Sequence, residues 1–203
     1  MDIQFSAVVL AGGRSSRMGK DKAFLPLGGR PLVERVLERV QPLSDDLILV
    51  VRQVEPFRHL PCRVVEDQPG PRGALTGLYS GLRAARHEWA LAVACDMPFL
   101  NPRLIRYMAM CTPRHDVVVP RMGQFWEPLH AFYRRTCLAP MEDLLRRGEQ
   151  KIIAFFPQVR VRVVEEKELD LLDPERLSFR NVNTPQDWEA VQRLYAEREG
   201  QVP

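Results

Sequence analysis

The sequence predicts a single α/β domain, with helices covering both faces of a mainly parallel β-sheet. Short apolar runs alternate with helical patterns through the first half of the chain. This alternation is typical of β-α-β units, whose crossover helices pack on the faces of the sheet. A length of 203 residues suits one domain, and no Gly/Ser-rich linker divides the chain. We therefore treat residues 1–203 as one domain.

Seven segments have the apolar composition and the length of strands. They are residues 7–10, 47–51, 63–65, 90–94, 117–119, 129–133 and 159–164. In the last of them, Arg160 and Arg162 alternate with apolar side chains, which indicates an edge strand or a strand with one exposed face.

Five segments have helical patterns: residues 31–41, 73–86, 102–110, 138–147 and 184–198. Pro31 suits the first helical position, and an apolar stripe at helical spacing follows it. The final helix begins with Thr184-Pro185-Gln186-Asp187, a typical capped start.

A loop rich in glycine and cations follows the first predicted strand, over residues 10–22 (LAGGRSSRMGKDK). Glycines allow backbone amides to approach a ligand closely, successive amides favour anions, and the cations neutralise phosphate charge. The loop therefore predicts a phosphate site rather than a basic surface turn. Five residues separate Gly13 from Gly19, and Asp21 stands where a P-loop needs Ser or Thr, so the P-loop is excluded. The G-x-G-x-x-G dinucleotide fingerprint also fails on spacing.

A carboxylate follows another buried strand candidate, where Asp96 comes directly after residues 91–95. Ligands of parallel α/β sheets bind beyond the carboxyl ends of the strands, and Mg²⁺ favours carboxylates together with phosphate oxygens. We predict Asp96 as a magnesium ligand; a helix cap or a loop-closing aspartate is the alternative.

Charge, cysteine content and hydropathy indicate which partners and which cellular compartment to expect. The net charge of +3 gives little indication of a nucleic-acid partner, and we expect none. The cysteines at 62, 95, 111 and 137 have neither zinc-site nor C-x-x-C spacing, which suits a reducing compartment. No signal peptide and no apolar stretch of membrane-spanning length is evident, so we expect a cytoplasmic protein without a membrane partner.

Four segments resemble motifs of the molybdenum cofactor guanylyltransferase family. Residues 10–22 fill every position of its pattern L-x-G-G-x-S-x-R-M-G-x-D-K. Residues 95–98 (CDMP) match C-D-x-P, and residues 181–185 (NVNTP) match N-V-N-T-P. Residues 70–77 are similar to the family's G-P-x-x-G segment, in a slightly longer form. The resemblance covers about residues 5–195 and implies a Rossmann-like, three-layer nucleotidyltransferase of glycosyltransferase-A type.

The resemblance also implies roles for individual residues. Those expected in catalysis are Arg17, Lys22 and Asp96, with Mg²⁺ on Asp96. Those expected to bind the nucleotide are Leu10, Ala11, Gly12, Gly13, Arg14, Lys22, Asp67 and Asp96. Those expected near the second substrate are Gly77, Asn181 and Asn183. On position alone, Asp67 suits a surface turn better than a ligand contact. Trp126 and His130 either touch a pterin or pack in the core, and Arg52 is a candidate substitute for an amide contact that Val50 lacks.

The implied reaction joins GMP from GTP to molybdenum-bound molybdopterin and releases pyrophosphate. The implied partners are those two substrates, with transient contact to molybdoenzymes or cofactor-delivery proteins. A cytidylyltransferase acting on the same pterin shares the fold and the metal chemistry. A sugar-phosphate nucleotidyltransferase does so too, although its usual G-x-G-T-R loop is absent here. A non-catalytic nucleotide- or cofactor-binding module is the remaining alternative, and Arg17, Lys22 and Asp96 together argue against it.

Overall fold

A central β-sheet organises the part of the chain that the computed structural model describes, residues 3–12, 22–68 and 73–199. The strands are β1 (Phe5–Leu10), β2 (Pro26–Leu27), β3 (Arg30–Pro31), β4 (Asp46–Val51), β5 (Arg63–Glu66), β6 (Trp89–Ala94), β7 (Val117–Met122), β8 (Phe125–Trp126), β9 (His130–Arg134) and β10 (Val161–Val164). The α-helices are α1 (Leu32–Val40), α2 (Ala74–Ala84), α3 (Pro102–Met110), α4 (Leu138–Arg146), α5 (Glu166–Leu172) and α6 (Pro185–Glu199).

The main sheet has the strand order β10-β7-β9-β6-β1-β4-β5, and β8 pairs with β7. Its parallel pairs are β1–β4, β1–β6, β4–β5 and β7–β10. Strand β9 lies antiparallel to both β6 and β7. The predicted mainly parallel sheet is therefore confirmed, with β10 at the edge as its alternating arginines indicated.

Helices pack on both faces of the sheet, because successive side chains of a strand point to opposite sides. In β1, Ala7 and Val9 belong to one apolar core together with residues of α1 and α3. Val8, between them, belongs to a second core together with residues of α2 and α4. These two cores confirm the three-layer architecture. Within the described residues, none of the helices combines the length and the hydropathy needed to cross a bilayer.

The start of the first helix differs from the sequence prediction. Helix α1 begins at Leu32, and Pro31 precedes it with an extended backbone of φ −53° and ψ 142°. Pro31 pairs with Pro26 in the short β2–β3 hairpin, whose turn uses the positive φ angles of Gly28 and Gly29. The fixed φ of proline suits both the first position of a helix and an extended strand. The pairing with Pro26 in the hairpin therefore determines that Pro31 is extended.

Helix α5 and strand β8 were not predicted. Helix α5 spans only seven residues and buries only Leu169, so it has no apolar stripe to reveal it. A reciprocal capping box between Glu165 and Glu168 fixes its start.

Candidate active site

A cleft of about 680 Å³ lies at the carboxyl ends of the central strands β1, β4 and β6. Leu10, which ends β1, pairs with Val50 of β4 and with Ala94 of β6, so these strand ends lie side by side. Every predicted site residue within the described ranges lines this cleft. They are Leu10, Ala11, Gly12, Lys22, Asp67, Gly77, Asp96, Asn181 and Asn183. Gly13, Arg14 and Arg17 lie outside the described residues, and their roles stay predictions.

Lys22 connects two polar segments that are far apart in the sequence. Its Nζ donates a hydrogen bond of 2.8 Å to Asn183 Oδ1 and lies 3.6 Å from Asp96 Oδ2. Burial raises the pKa of the Asp96 carboxyl, and the neighbouring Lys22 ammonium partly offsets that shift. The cluster therefore places a fixed cation, a carboxylate and an amide oxygen in one concave site, a combination that suits a phosphorylated ligand.

Backbone hydrogen bonds hold these segments at the strand ends. Cys95 N donates to Leu10 O over 3.0 Å, and Val182 N donates to Asp96 O over 3.2 Å. The second bond fixes residues 181–183 beside the end of β6. At the start of α6, Thr184 Oγ1 accepts from Asp187 N and Asp187 Oδ2 accepts from Thr184 N. Thr184 is therefore the residue that caps the helix, which leaves the Asn183 side chain for Lys22.

Asn181 carries an unsatisfied oxygen in the same cleft. Among the described residues, its buried Oδ1 accepts no hydrogen bond, although buried polar atoms normally have a partner. Carboxylate and amide oxygens are hard donors of the kind that Mg²⁺ prefers. Asp96 and Asn181 therefore fit a magnesium ion that takes its remaining ligands from phosphate and water. The described residues contain no cluster of three acidic, His or Cys side chains that would hold a metal alone.

Asp67 stands at the other side of the cleft, after β5. Its backbone N–H donates to Val51 O over 2.8 Å, and Ser80 Oγ of α2 lies 2.8 Å from its Oδ1. A Cβ at Gly12 or Gly77 would lie 3.9 or 4.0 Å from its other oxygen, Oδ2. Gly12, Gly77 and Asp67 thus line the same part of the cleft, and Ser80 orients the carboxyl group. Burial raises the pKa of Asp67, and its hydrogen bonds and nearby Arg52 oppose the shift.

Gly77 also has a packing role. A Cβ at this position would lie 2.8 Å from Leu10 Cδ2, closer than side chains normally approach. Glycine here therefore lets α2 pack tightly against the end of β1, which supports the wall of the cleft.

Of the three remaining candidates for substrate contact, Arg52, Trp126 and His130, one lines the cleft and two do not. Arg52 lines the cleft. His130 does not: it is fully buried, its ring lies 5.0 Å from that of Phe179, and burial lowers its pKa to about 4. Trp126 is not among the lining residues either, and its ring contacts Phe156 edge-on at 5.4 Å. Core packing, one of the two alternatives for these aromatic residues, is the one observed.

Residues 127–133 resemble the strand that the family uses beside the second substrate, but the sequence prediction did not name Glu127 as a site residue, and Glu127 lines the cleft. Burial raises the pKa of this carboxyl to about 7. Glu127 precedes β9, and only the antiparallel direction of β9 brings the start of that strand to the ligand-binding edge. A signal in the sequence was the acidic residue directly before Pro128 and an apolar strand candidate.

The fold and the cleft define a class of protein, the α/β nucleotidyltransferases. The model of the MobA-like NTP transferase domain matches residues 7–163, and the chain belongs to this family. It is 40% identical over 185 residues to a probable molybdenum cofactor guanylyltransferase of Pelotomaculum thermopropionicum, covering 91% of this chain and 90% of that one. It is 37% identical to the molybdenum cofactor guanylyltransferase of Desulfosudis oleivorans, covering 92% and 94%.

Solved structures agree with this assignment. The crystal structure of molybdopterin-guanine dinucleotide biosynthesis protein A from Archaeoglobus fulgidus matches with a TM-score of 0.84 and 25% identity, over 95% of this chain and all of that one. The crystal structure of 2-C-methyl-D-erythritol 4-phosphate cytidylyltransferase from Thermus thermophilus matches with a TM-score of 0.72 and 18% identity, over 96% of this chain and all of that one. The second likeness shows the shared fold alone.

Proposed function

We propose that this protein transfers GMP from GTP to molybdenum-bound molybdopterin, forming the guanine dinucleotide cofactor and pyrophosphate. The observation that carries the proposal is the composition of one cleft. It contains the Lys22–Asp96–Asn183 cluster, the carboxylate of Asp67 and the unsatisfied oxygen of Asn181. The similarity to curated guanylyltransferases over about nine-tenths of the chain supports the same reaction.

The proposed chemistry needs no strong general base. An oxygen of the terminal phosphate of molybdopterin attacks the α-phosphorus of GTP, and the bond from that phosphorus to the bridging oxygen of the β-phosphate breaks. The electron pair of that bond leaves with pyrophosphate. Because the attacking phosphate is already ionised near neutral pH, the protein has to position the two substrates and neutralise charge. Lys22 supplies a positive charge, and Arg14 and Arg17 are expected to add theirs.

Magnesium is part of the proposal. Asp96 and Asn181 would hold the ion, which supplies polarisation of phosphoryl oxygens when it is bound. Lys22 lies beside Asp96 and limits the accumulation of negative charge when the triphosphate enters.

Asp67 is proposed to select guanine. A carboxylate accepts hydrogen bonds and does not donate them when ionised. The amino group and the ring N–H of guanine supply two donors on one edge, whereas the corresponding edge of cytosine presents acceptors as well as its amino group. Ser80 contacts Oδ1, and Asp67 lines the cleft beside Gly12 and Gly77, so we assign Oδ2 to such an edge.

The test of the reaction is pyrophosphate release from GTP by the purified full-length protein, with and without molybdenum-bound molybdopterin. We expect release that depends on both the pterin and Mg²⁺, and a product whose mass equals the pterin plus GMP. Binding of GTP without any release would favour the non-catalytic module and contradict the proposal.

A further inference from the structure

A second acidic residue, Glu127, lines the cleft on the side opposite Asp67. Glu127 precedes β9, whereas Asp67 follows β5, and strands β4, β1 and β6 lie between them. Four strand spacings of about 4.8 Å separate the two strands, or roughly 19 Å along the sheet. Asp96, at the end of β6, lies between the two carboxylates in strand order. The cleft thus has one acidic residue toward each end, and the Lys22–Asp96–Asn183 cluster lies between them.

The backbone around Glu127 is fixed on both sides. Its N–H donates to Pro120 O of β7 over 3.0 Å, and its carbonyl accepts from His130 N over 3.0 Å. The second bond closes a four-residue turn with Pro128 at the second position, where proline is favoured. Ala94 N donates to Leu129 O over 3.2 Å, which ties the turn to the end of β6. The backbone that carries the Glu127 side chain is therefore fixed to the central sheet.

The carboxyl group of Glu127 has no compensating partner in the described part of the chain. No described residue donates a hydrogen bond to it or forms an ion pair with it, although the residue is partly buried. Its raised pKa, about 7, has burial as its cause. Withdrawing a carboxylate from water without donors costs free energy, and a ligand that supplies N–H groups would remove that cost.

Guanine and a pterin present the same edge for recognition, an exocyclic amino group next to a ring N–H. One carboxylate can accept from both groups at once. Building on the proposed function, we propose that Glu127 recognises this edge of the pterin substrate, as Asp67 recognises guanine at the opposite end. The two ends of the product would then each be held by one carboxylate, with the phosphates over Lys22 and Asp96.

The test uses two reciprocal variants of the full-length protein, Glu127→Gln and Asp67→Asn. The dissociation constants of GTP and of 6-hydroxymethylpterin monophosphate are measured by calorimetry, together with that of the matching lumazine, in which an oxo group replaces the amino group. Wild type should bind the pterin about tenfold or more tightly than the lumazine, because the lumazine lacks the amino group that donates a hydrogen bond to the Glu127 carboxylate. Glu127→Gln should weaken pterin binding about tenfold, abolish the preference over lumazine and leave GTP affinity within twofold. Asp67→Asn should weaken GTP binding about tenfold, and it should leave both the pterin affinity and the preference for the pterin over lumazine within twofold of wild type.

Glu142→Gln is the matched control, because it makes the same chemical change on the exposed face of α4. A wild-type protein without preference for the pterin over lumazine, or a Glu127→Gln variant that keeps that preference, would overturn the assignment of Glu127. Equal weakening of GTP and pterin in Glu127→Gln would overturn it too, since that result indicates a distorted cleft. GTP- and pterin-dependent pyrophosphate release by wild type in the same preparation would show that the proposed function stands even if the assignment of Glu127 fails.

Discussion

At the residue scale, the proposed chemistry depends most on Asp96. This carboxylate lies two residues beyond the end of the buried strand β6 and 3.6 Å from the Lys22 ammonium. It shares the cleft with the unsatisfied Asn181 oxygen. Its place was predictable, because an aspartate directly after an apolar strand of a parallel sheet must stand at the ligand-binding edge. Lys22 was predictable only from its motif, since nothing local indicates its contact with Asn183, 161 positions away.

Asp96→Ala should reduce kcat/KM for GTP by more than about a hundredfold. Metal polarisation of a phosphoryl oxygen contributes several kcal/mol, and about 1.4 kcal/mol corresponds to a factor of ten in rate. Steady-state pyrophosphate release measures the effect, and circular dichroism verifies the fold. Asp96→Asn, which keeps the shape but not the charge, should lose activity as well. A variant with the native fold and activity within threefold of wild type would contradict the role of Asp96.

Ser80→Ala tests whether Ser80 orients Asp67. The variant removes the hydroxyl that lies 2.8 Å from Asp67 Oδ1 and that also accepts from Gln68 N over 2.9 Å. Loss of one such hydrogen bond is worth about 1–1.5 kcal/mol, so KM for GTP should rise about five- to tenfold with little change in kcat. An unchanged KM for GTP, or an equal loss with every nucleotide, would show that Ser80 serves the fold alone.

At the element scale, the packing of α2 against β1 and β4 forms the wall behind the cleft. Gly77 and Gly81 lie one turn apart on α2 and both face the sheet: a Cβ at Gly77 would meet Leu10, and one at Gly81 would meet Val8 and Val50. The helical pattern predicted α2, but which of its positions must be glycine depends on the distance between helix and sheet.

Gly81→Ala should destabilise the protein by about 1–2 kcal/mol. The added methyl would overlap Val8 Cγ1 and lie 3.1 Å from Val50 Cγ2. Overpacking this severe costs about 2–3 kcal/mol, and the gain in helix propensity offsets about 1 kcal/mol of that cost. Urea unfolding measures the change in the free energy of unfolding. Arg83→Ala, on the exposed side of the same helix, is the control and should change stability by less than about 0.5 kcal/mol. A Gly81→Ala protein as stable as wild type would contradict this close packing.

Strands β7 and β10 are joined by an ion pair that makes stability depend on pH. Asp116 accepts from Arg160 Nε over 2.9 Å and from the Arg160 backbone N–H over 3.1 Å. The Arg160 side chain thereby lowers the pKa of Asp116 to about 2, although burial of the carboxyl group opposes the shift. Because the folded pKa lies below the unfolded value of about 3.9, the stabilisation is present above pH 4 and is lost as the pH falls toward 2.

Asp116→Asn should therefore lower stability near neutral pH by about 1–2 kcal/mol, a figure reduced for the solvent exposure of Arg160. The difference between wild type and variant should shrink between about pH 4 and pH 2, where the wild-type carboxyl takes up its proton. Urea unfolding across this pH range provides the measurement. A difference that does not change with pH would assign the effect to packing instead of charge.

At the scale of the whole molecule, local sequence patterns predicted the layers of the fold well, but they did not predict every residue that lines the cleft. Apolar runs such as residues 90–94 gave the central strands, because a buried parallel strand is apolar on both faces. The antiparallel direction of β9 leaves no such pattern, so Glu127 was missed. The β2–β3 hairpin, which contains Pro31, was not predicted because strands of two residues are too short to show a periodic pattern. The meeting of Lys22, Asp96 and Asn183 arises only when distant strand ends come together.

The central claim is that one cleft joins guanine nucleotide to the pterin and that Asp67 selects the base. Its most direct test is kcat/KM for GTP, CTP, ATP and UTP at saturating molybdenum-bound molybdopterin. Each polar group left unpaired by a wrong base costs about 1–3 kcal/mol, so two such contacts predict at least about a hundredfold preference for GTP over CTP. Asp67→Asn should reduce that preference by about tenfold or more. Equal or better use of CTP by the wild-type protein would contradict the account and make the protein a cytidylyltransferase.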